Sequence, residues 1–237
     1  THFNLQGIEL RCDPPPAGFA AARLDYPLRL RCPARCEGLR LHFDGEEPGR
    51  SLSLPAGEHH LSVSWHSAQR GWQQPGTLRL QSTAPLGLFR CWSCWRPSEP
   101  QLIYPAPRPG PVAVVGAGSA GGEAPRLPAG AAEGTEEWLD LRPHRPQDAP
   151  ARLAWKLLAR GRGRLAKRFA ADRRDPPLLA PDPGVPFELG LSHLSDHICR
   201  LHARGEPYGL LLPERRIPAD RGLAQRDRCL AALALAA

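Results

Sequence analysis

A chain of 237 residues, 41% hydrophobic and 23% charged, is long enough for two ordinary domains with real cores and too apolar for a disordered one. Its 7 cysteines, an odd number without dense spacing, exclude a disulfide-stapled secreted scaffold and read as reduced thiols in a cytosolic compartment. The net charge of +7 suits nucleic acid, anionic lipid or an acidic protein, and no apolar run reaches the roughly 18 residues of a membrane span. The 28 prolines and 23 glycines point to long loops and a linker. Met is absent even at position 1, so a natural start upstream of Thr1 is expected.

Residues 1–106 read as all-β. Short runs with rough alternation recur at Ile8–Cys12, Leu28–Cys32, Leu39–Phe43, Leu61–Trp65 and Thr77–Ser82. Turn signals such as Asp13-Pro14-Pro15, Asp44-Gly45 and Gln74-Pro75-Gly76 separate them. Strands of this length and spacing predict an antiparallel β-sandwich of immunoglobulin-like build.

Residues 107–135 read as a Pro/Gly-rich linker. Within it Val112–Val115 precedes Gly116-Ala117-Gly118-Ser119-Ala120-Gly121, the spacing of a dinucleotide fingerprint after a strand. Such a fingerprint needs a helix opening at its last glycine, whose N-terminus holds the pyrophosphate. Pro125 and Pro128 deny that helix, so a connector is the reading and no cofactor is expected.

Residues 136–237 read as a small α/β domain. Asp148 is placed to cap a helix with Pro150 in its first turn. Leu153, Ala154, Leu157 and Leu158 then share one side, and Arg152, Lys156 and Arg160 form a basic stripe at i, i+4 and i+8. Gly161 and Gly163 break that helix, and Arg164–Phe169 reads as a strand. Pro177–Pro181 is a short apolar strand. Phe187, Leu191, Leu194, Ile198 and Leu201 lie on one face of a helix stopped by Gly205. Tyr208–Leu212 is a further strand, and Leu223–Ala236 a second helix. Strand–helix–strand–helix order predicts parallel pairing with helices packed on the sheet.

Several stretches resemble the DUF58 family, bacterial proteins often encoded beside MoxR-type AAA ATPases. Its signature is matched by Leu141, Arg142, Asp148, Arg152, Trp155, Lys156, Ala159, Arg160, Leu165, Lys167 and Phe169. His144 replaces an aromatic Tyr of the pattern, and Gln147 a Gly. Arg70-Gly71, the run Pro85-Leu86-Gly87-Leu88-Phe89-Arg90 with Trp92-Ser93, and Leu102-Ile103-Tyr104-Pro105 resemble further family passages. So do Glu188, Leu191 and Ser192, and Tyr208, Gly209, Leu210, Leu212 and Pro213. The resemblance implies a von Willebrand A-like C-terminal domain, a pair of membrane helices ahead of Thr1, and a MoxR-type ATPase as partner. It places the protein at a bacterial inner membrane with this part on the cytoplasmic side.

The functional reading is a non-enzymatic, membrane-tethered interaction module. Arg142, Asp148, Arg152, Trp155, Lys156, Arg160 and Lys167 are its candidate interaction residues, with Asp148 pairing Arg152, Trp155 as anchor and the arginines reading carboxylates. No catalytic residue is nominated. The alternatives are a metal-dependent or hydrolytic enzyme whose site forms only in the fold, and nucleic-acid binding through the basic helix, the less expected of the partners. Three minor candidates accompany these. Asp182 stands where a von Willebrand A domain starts its metal motif, but both serines are missing. His193 and His197 have the spacing to share zinc, without a third ligand. Cys32, Cys36, Cys91 and Cys94 are open to zinc, a disulfide or packing as free thiols, the last leading.

Overall fold

The computed structural model describes residues 2–84, 86–115, 126–127, 138–143, 165–169 and 176–237. They form a mixed α+β structure, mostly strands in several sheets, with two long helices. The first ten strands are β1 (Glu9–Cys12), β2 (Gly18–Phe19), β3 (Arg23–Cys32), β4 (Cys36–Phe43), β5 (Leu52–Leu54), β6 (Gly57–His66), β7 (Gly71–Gln73), β8 (Leu78–Ser82), β9 (Cys91–Trp95) and β10 (Gln101–Tyr104). One antiparallel sheet runs β1-β3-β6 and another β5-β4-β8-β9.

These two sheets share one core because their sequences alternate. In β3, Leu24, Tyr26, Leu28, Leu30 and Cys32 point inward; in β4, Cys36, Leu39, Leu41 and Phe43 do the same. Each such Leu contributes about 1.5–3 kcal/mol on leaving water. Tyr26, Trp65 and Gln101 find polar partners within this core. Tyr26 meets Phe43 edge to face at 5.7 Å and donates its hydroxyl to the Glu99 carbonyl at 2.8 Å. The Trp65 indole donates to Gln101 Oε1 at 2.7 Å, and Gln101 donates in turn to the Pro16 carbonyl.

The remaining strands are β11 (Val112–Val115), β12 (Arg126–Leu127), β13 (Trp138–Pro143), β14 (Leu165–Phe169), β15 (Leu178–Ala180), β16 (Tyr208–Leu211) and β17 (Arg216–Asp220). β13 and β14 pair antiparallel. The others form a sheet in the order β12-β11-β15-β16-β17, packed with the helices Phe187–Ala203 and Leu223–Leu235. Leu191, Leu194 and Ile198 of the first helix are fully buried there, as its periodicity predicts. That helix ends as Gly205 turns to φ +68 and its N–H bonds the His202 carbonyl, while Glu206 N–H reaches back to Leu201.

Within this sheet, among the described residues, parallel pairing holds only for β15 and β16, which the helix Phe187–Ala203 connects. β17 is antiparallel to β16, because Leu212 and Arg215 close a two-residue turn by exchanging backbone bonds and leave no room for a crossover. β11, read from composition as linker, runs antiparallel to β15 as a sheet strand, with Val112 fully buried.

The two parts meet in a third sheet, β2-β10-β7. Along β10, Ile103 belongs to the first core and Tyr104 to the second. Arg70 fastens the same seam. It pairs with Glu188 at 2.8 Å at the start of one helix and donates to the Ala236 carbonyl at the end of the other.

Candidate functional site

Of the candidate interaction residues, Arg142 and Lys167 lie on the hairpin of β13 and β14, opposite Ala166 and Leu141 respectively. Asp148, Arg152, Trp155, Lys156 and Arg160 lie outside the described residues, and so does the glycine-rich run 116–121.

The structure sets the histidine pair against the chain that leads into β11. His197 Nε2 is 3.0 Å from the Gly110 carbonyl and His193 Nδ1 is 3.2 Å from that of Pro111. A carbonyl only accepts, so each ring commits a N–H to the chain leading into β11. Ser195 donates to the Pro105 carbonyl at 2.9 Å, and Arg108 N–H donates to the Ser192 carbonyl. The segment from Pro105 to Pro111 has a proline at every second position and is short of N–H groups. The helix face therefore supplies donors to its carbonyls. Gly110 is required for the close approach: a Cβ there would stand 2.2 Å from the His193 ring. Burial pulls the His197 pKa below its ordinary value of 6.5 and keeps the ring neutral.

The four cysteines do not gather. Cys32 and Cys36 are buried in the first core, Cys94 is exposed, and all are thiols. Burial, with a hydrogen bond from Cys36, pushes Cys32 up to about 12. Burial likewise raises Cys229 to about 11. Such thiols stay protonated and unreactive at neutral pH. Asp182 is buried and accepts the Gly184 N–H at 2.8 Å, closing its own turn. Among the described residues no three metal-ligating side chains form a metal-binding group, and no helix is long and apolar enough to cross a membrane.

The arrangement that stands out is on the first part, where β8 passes to β9. Leu86, Leu88 and Phe89 are 78%, 75% and 74% exposed, and Trp92 follows on β9 at 64%. Monomeric proteins rarely leave contiguous apolar surface of this kind uncovered. Covering the three loop side chains fully would contribute on the order of 5 kcal/mol.

The loop stands on a fastened base. Asn4 accepts the Glu37 N–H at 2.8 Å and donates to the Glu37 carbonyl at 2.7 Å, imitating a strand at the irregular start of β4. Buried Ser82 donates to that same carbonyl and accepts from Asn4 and from the Ala84 N–H. Gly87 N–H then closes the loop on the Thr83 carbonyl at 2.8 Å, with Gly87 at φ +74. Beside the loop the outer face of the sheet carries Arg40, Gln81 and Trp92 in one row across β4, β8 and β9. Their chain neighbours Leu39, Leu41 and Leu80 turn into the core. Among the described residues β9 is the last strand of its sheet, so this surface lies at the sheet's edge.

The sequence shows the apolar run from Leu86 to Phe89 but not its exposure. The one signal for exposure is that Leu86-Gly87-Leu88-Phe89 lacks the alternation of a half-buried strand. Comparison with known proteins finds no matching family model, no matching curated protein and no matching solved structure.

Proposed function

We propose that this protein is a non-enzymatic, membrane-tethered interaction module, a rigid two-part frame that presents docking surfaces and does no chemistry of its own. The observation that carries this reading is the uncovered apolar set Leu86, Leu88, Phe89 and Trp92 on a loop and edge held in place from beneath. Fixed apolar side chains in water are a binding device. The seam supports the same reading. β10 runs through both cores and Arg70 grips both long helices, so a load on one part is passed to the other.

The fold reading goes with it. Two antiparallel sheets on one core support an immunoglobulin-like sandwich. The parallel β15–helix–β16 unit supports a von Willebrand A-like relation for the second part, reduced to that single step and flanked by antiparallel β11 and β17. The partner is a MoxR-type AAA ATPase, by the resemblance of the signature residues. Arg152 and Arg160 are its contacts, offering bidentate donors to carboxylates.

Capture from purified components, with no lipid present, tests the partner. The immobilised chain retains the ATPase, and R152E/R160E lowers capture by about tenfold or more while melting as the parent does. Equal capture by the folded variant removes that face from the reading. No capture by the parent removes the ATPase.

A further inference from the structure

We infer that the loop Leu86–Phe89 is a membrane-inserting tip that takes an anionic lipid surface, so that the frame touches the bilayer directly and not only through a tether. This rests on the loop and β9 being a docking surface, and it names what docks there. Three observations select a lipid surface over a protein.

The first is layering. Leu86, Leu88 and Phe89 form the tip, and Arg90 and Trp92 come next along the chain, where β9 begins. Apolar side chains suit the acyl region, and Trp and Arg suit the interface and its phosphates; here the apolar tip is followed at once by an Arg and a Trp.

The second is charge. From Ser67 to Ser98 the chain carries Arg70, Arg79, Arg90 and Arg96 and not one Asp or Glu. Arg70 and Arg79 are paired with Glu188 and Asp44. Arg90 beside the tip and Arg40 in the row with Trp92 have no ion-pair partner among the described residues, and both are exposed. The acid at the base of the loop, Glu37, is paired with Arg35, so the rim beside the apolar tip stays positive and complements anionic headgroups.

The third is rigidity. The Thr83–Gly87 closure and the network of Asn4, Glu37 and Ser82 set the loop before any contact, so insertion orders little new chain. The tip is also small. Three side chains wedge into a fluid surface but make a poor core for a stable protein interface of standard size.

The full chain is sedimented with vesicles of phosphatidylcholine alone and of phosphatidylcholine mixed with phosphatidylglycerol, at low and high salt. The parent partitions onto the mixed vesicles, and salt weakens it. L86S/L88S/F89S lowers the partition coefficient by about 100-fold. R90Q lowers it by about fivefold on mixed vesicles only. Bromination of the acyl chains quenches part of the tryptophan emission, and that part is missing in W92F, a variant that leaves the tip intact. The proposal is overturned if the parent stays in the supernatant with mixed vesicles, or if the folded triple variant sediments as the parent does. It is equally overturned if the tip variants abolish ATPase capture or a concentration-dependent dimer while leaving vesicle binding unchanged. In that case the surface serves a protein and the interaction-module reading stands without the lipid.

Discussion

In β3 every second side chain is buried and its neighbours face water or the rim, whereas in β16 Tyr208, Gly209 and Leu210 are buried in succession. The first part thus keeps an outer face on its sheets, and that face is where Arg40 and Trp92 stand. The second part spends its strands inward: β16 is enclosed by β15, β17 and the residues of both long helices. Among the described residues, five of the large apolar side chains left exposed belong to the first part and Leu223 and Leu235 to the second. A sheet with one wet face carries a docking surface without loss of core. A strand buried on both faces has no such spare surface, and its residues are held to tighter limits of size.

The sharpest way to break this contrast is Gly209→Ala. An added Cβ would stand 2.4 Å from Leu178 Cδ2 and 2.8 Å from the Ile217 carbonyl, and backbone cannot step aside as a side-chain end can. A loss of about 3 kcal/mol or more is expected in a urea titration. A loss below that of an ordinary surface substitution would show that the second part is not close-packed at β16.

Gly110→Ala comes next. Its Cβ would collide with the His193 ring, which is 5% exposed and has little room to turn. About 2 kcal/mol is expected, with part of it recovered in G110A/H193A, where the ring is gone. Failure of the second substitution to rescue the first would place the clash elsewhere.

Arg70→Ala tests the seam. Glu188 is largely exposed, so the pair itself is worth little, but the Ala236 carbonyl loses a charged donor. About 1 kcal/mol is expected, together with a broader thermal transition as the two parts melt less in step. A sharp transition at an unchanged midpoint would mean that β10 alone couples them.

The smallest effect is on pH dependence. Burial holds the folded His197 pKa below 6.5, with Arg200 and His193 lowering it further and Gly110 and Asp196 opposing. Between the folded pKa and 6.5 the unfolded chain binds more protons than the folded one, so stability rises with pH. Acidification from neutrality therefore costs stability below about 6.5 and stops doing so once the folded ring also charges. Urea midpoints from pH 7 to pH 5 should show this slope, and H197Q should flatten it. An unchanged slope in H197Q would assign it to another group.

Much of this contrast was legible in the residues. Leu28–Cys32 and Leu39–Phe43 alternate strictly enough to give both strand and buried face, and both lie inside longer strands, β3 and β4. The helix from Phe187 declared itself by its period and its glycine stop. What stayed hidden was decided by tertiary contact. Val112–Val115 is four residues set in linker composition, and pairing with β15 and β12 makes it a strand. β17 carries Pro218 and buries only Ile217 fully, so no pattern marks it; the turn from Leu212 to Arg215 does. The loop from Leu86 to Phe89 was readable as apolar but not as uncovered, because exposure is a relation between a residue and the rest of the fold.

The proline-spaced segment from Pro105 to Pro111 has a consequence for how this chain can change. Its carbonyls are matched by Ser195, His193 and His197, which lie more than eighty residues downstream in sequence. Neither partner can be exchanged for an arbitrary segment of the same shape, since each writes half of a shared pattern of donors and acceptors. Related chains should therefore inherit position 110 and positions 193 and 197 together, and a chimera spliced between them should fail unless it carries both halves.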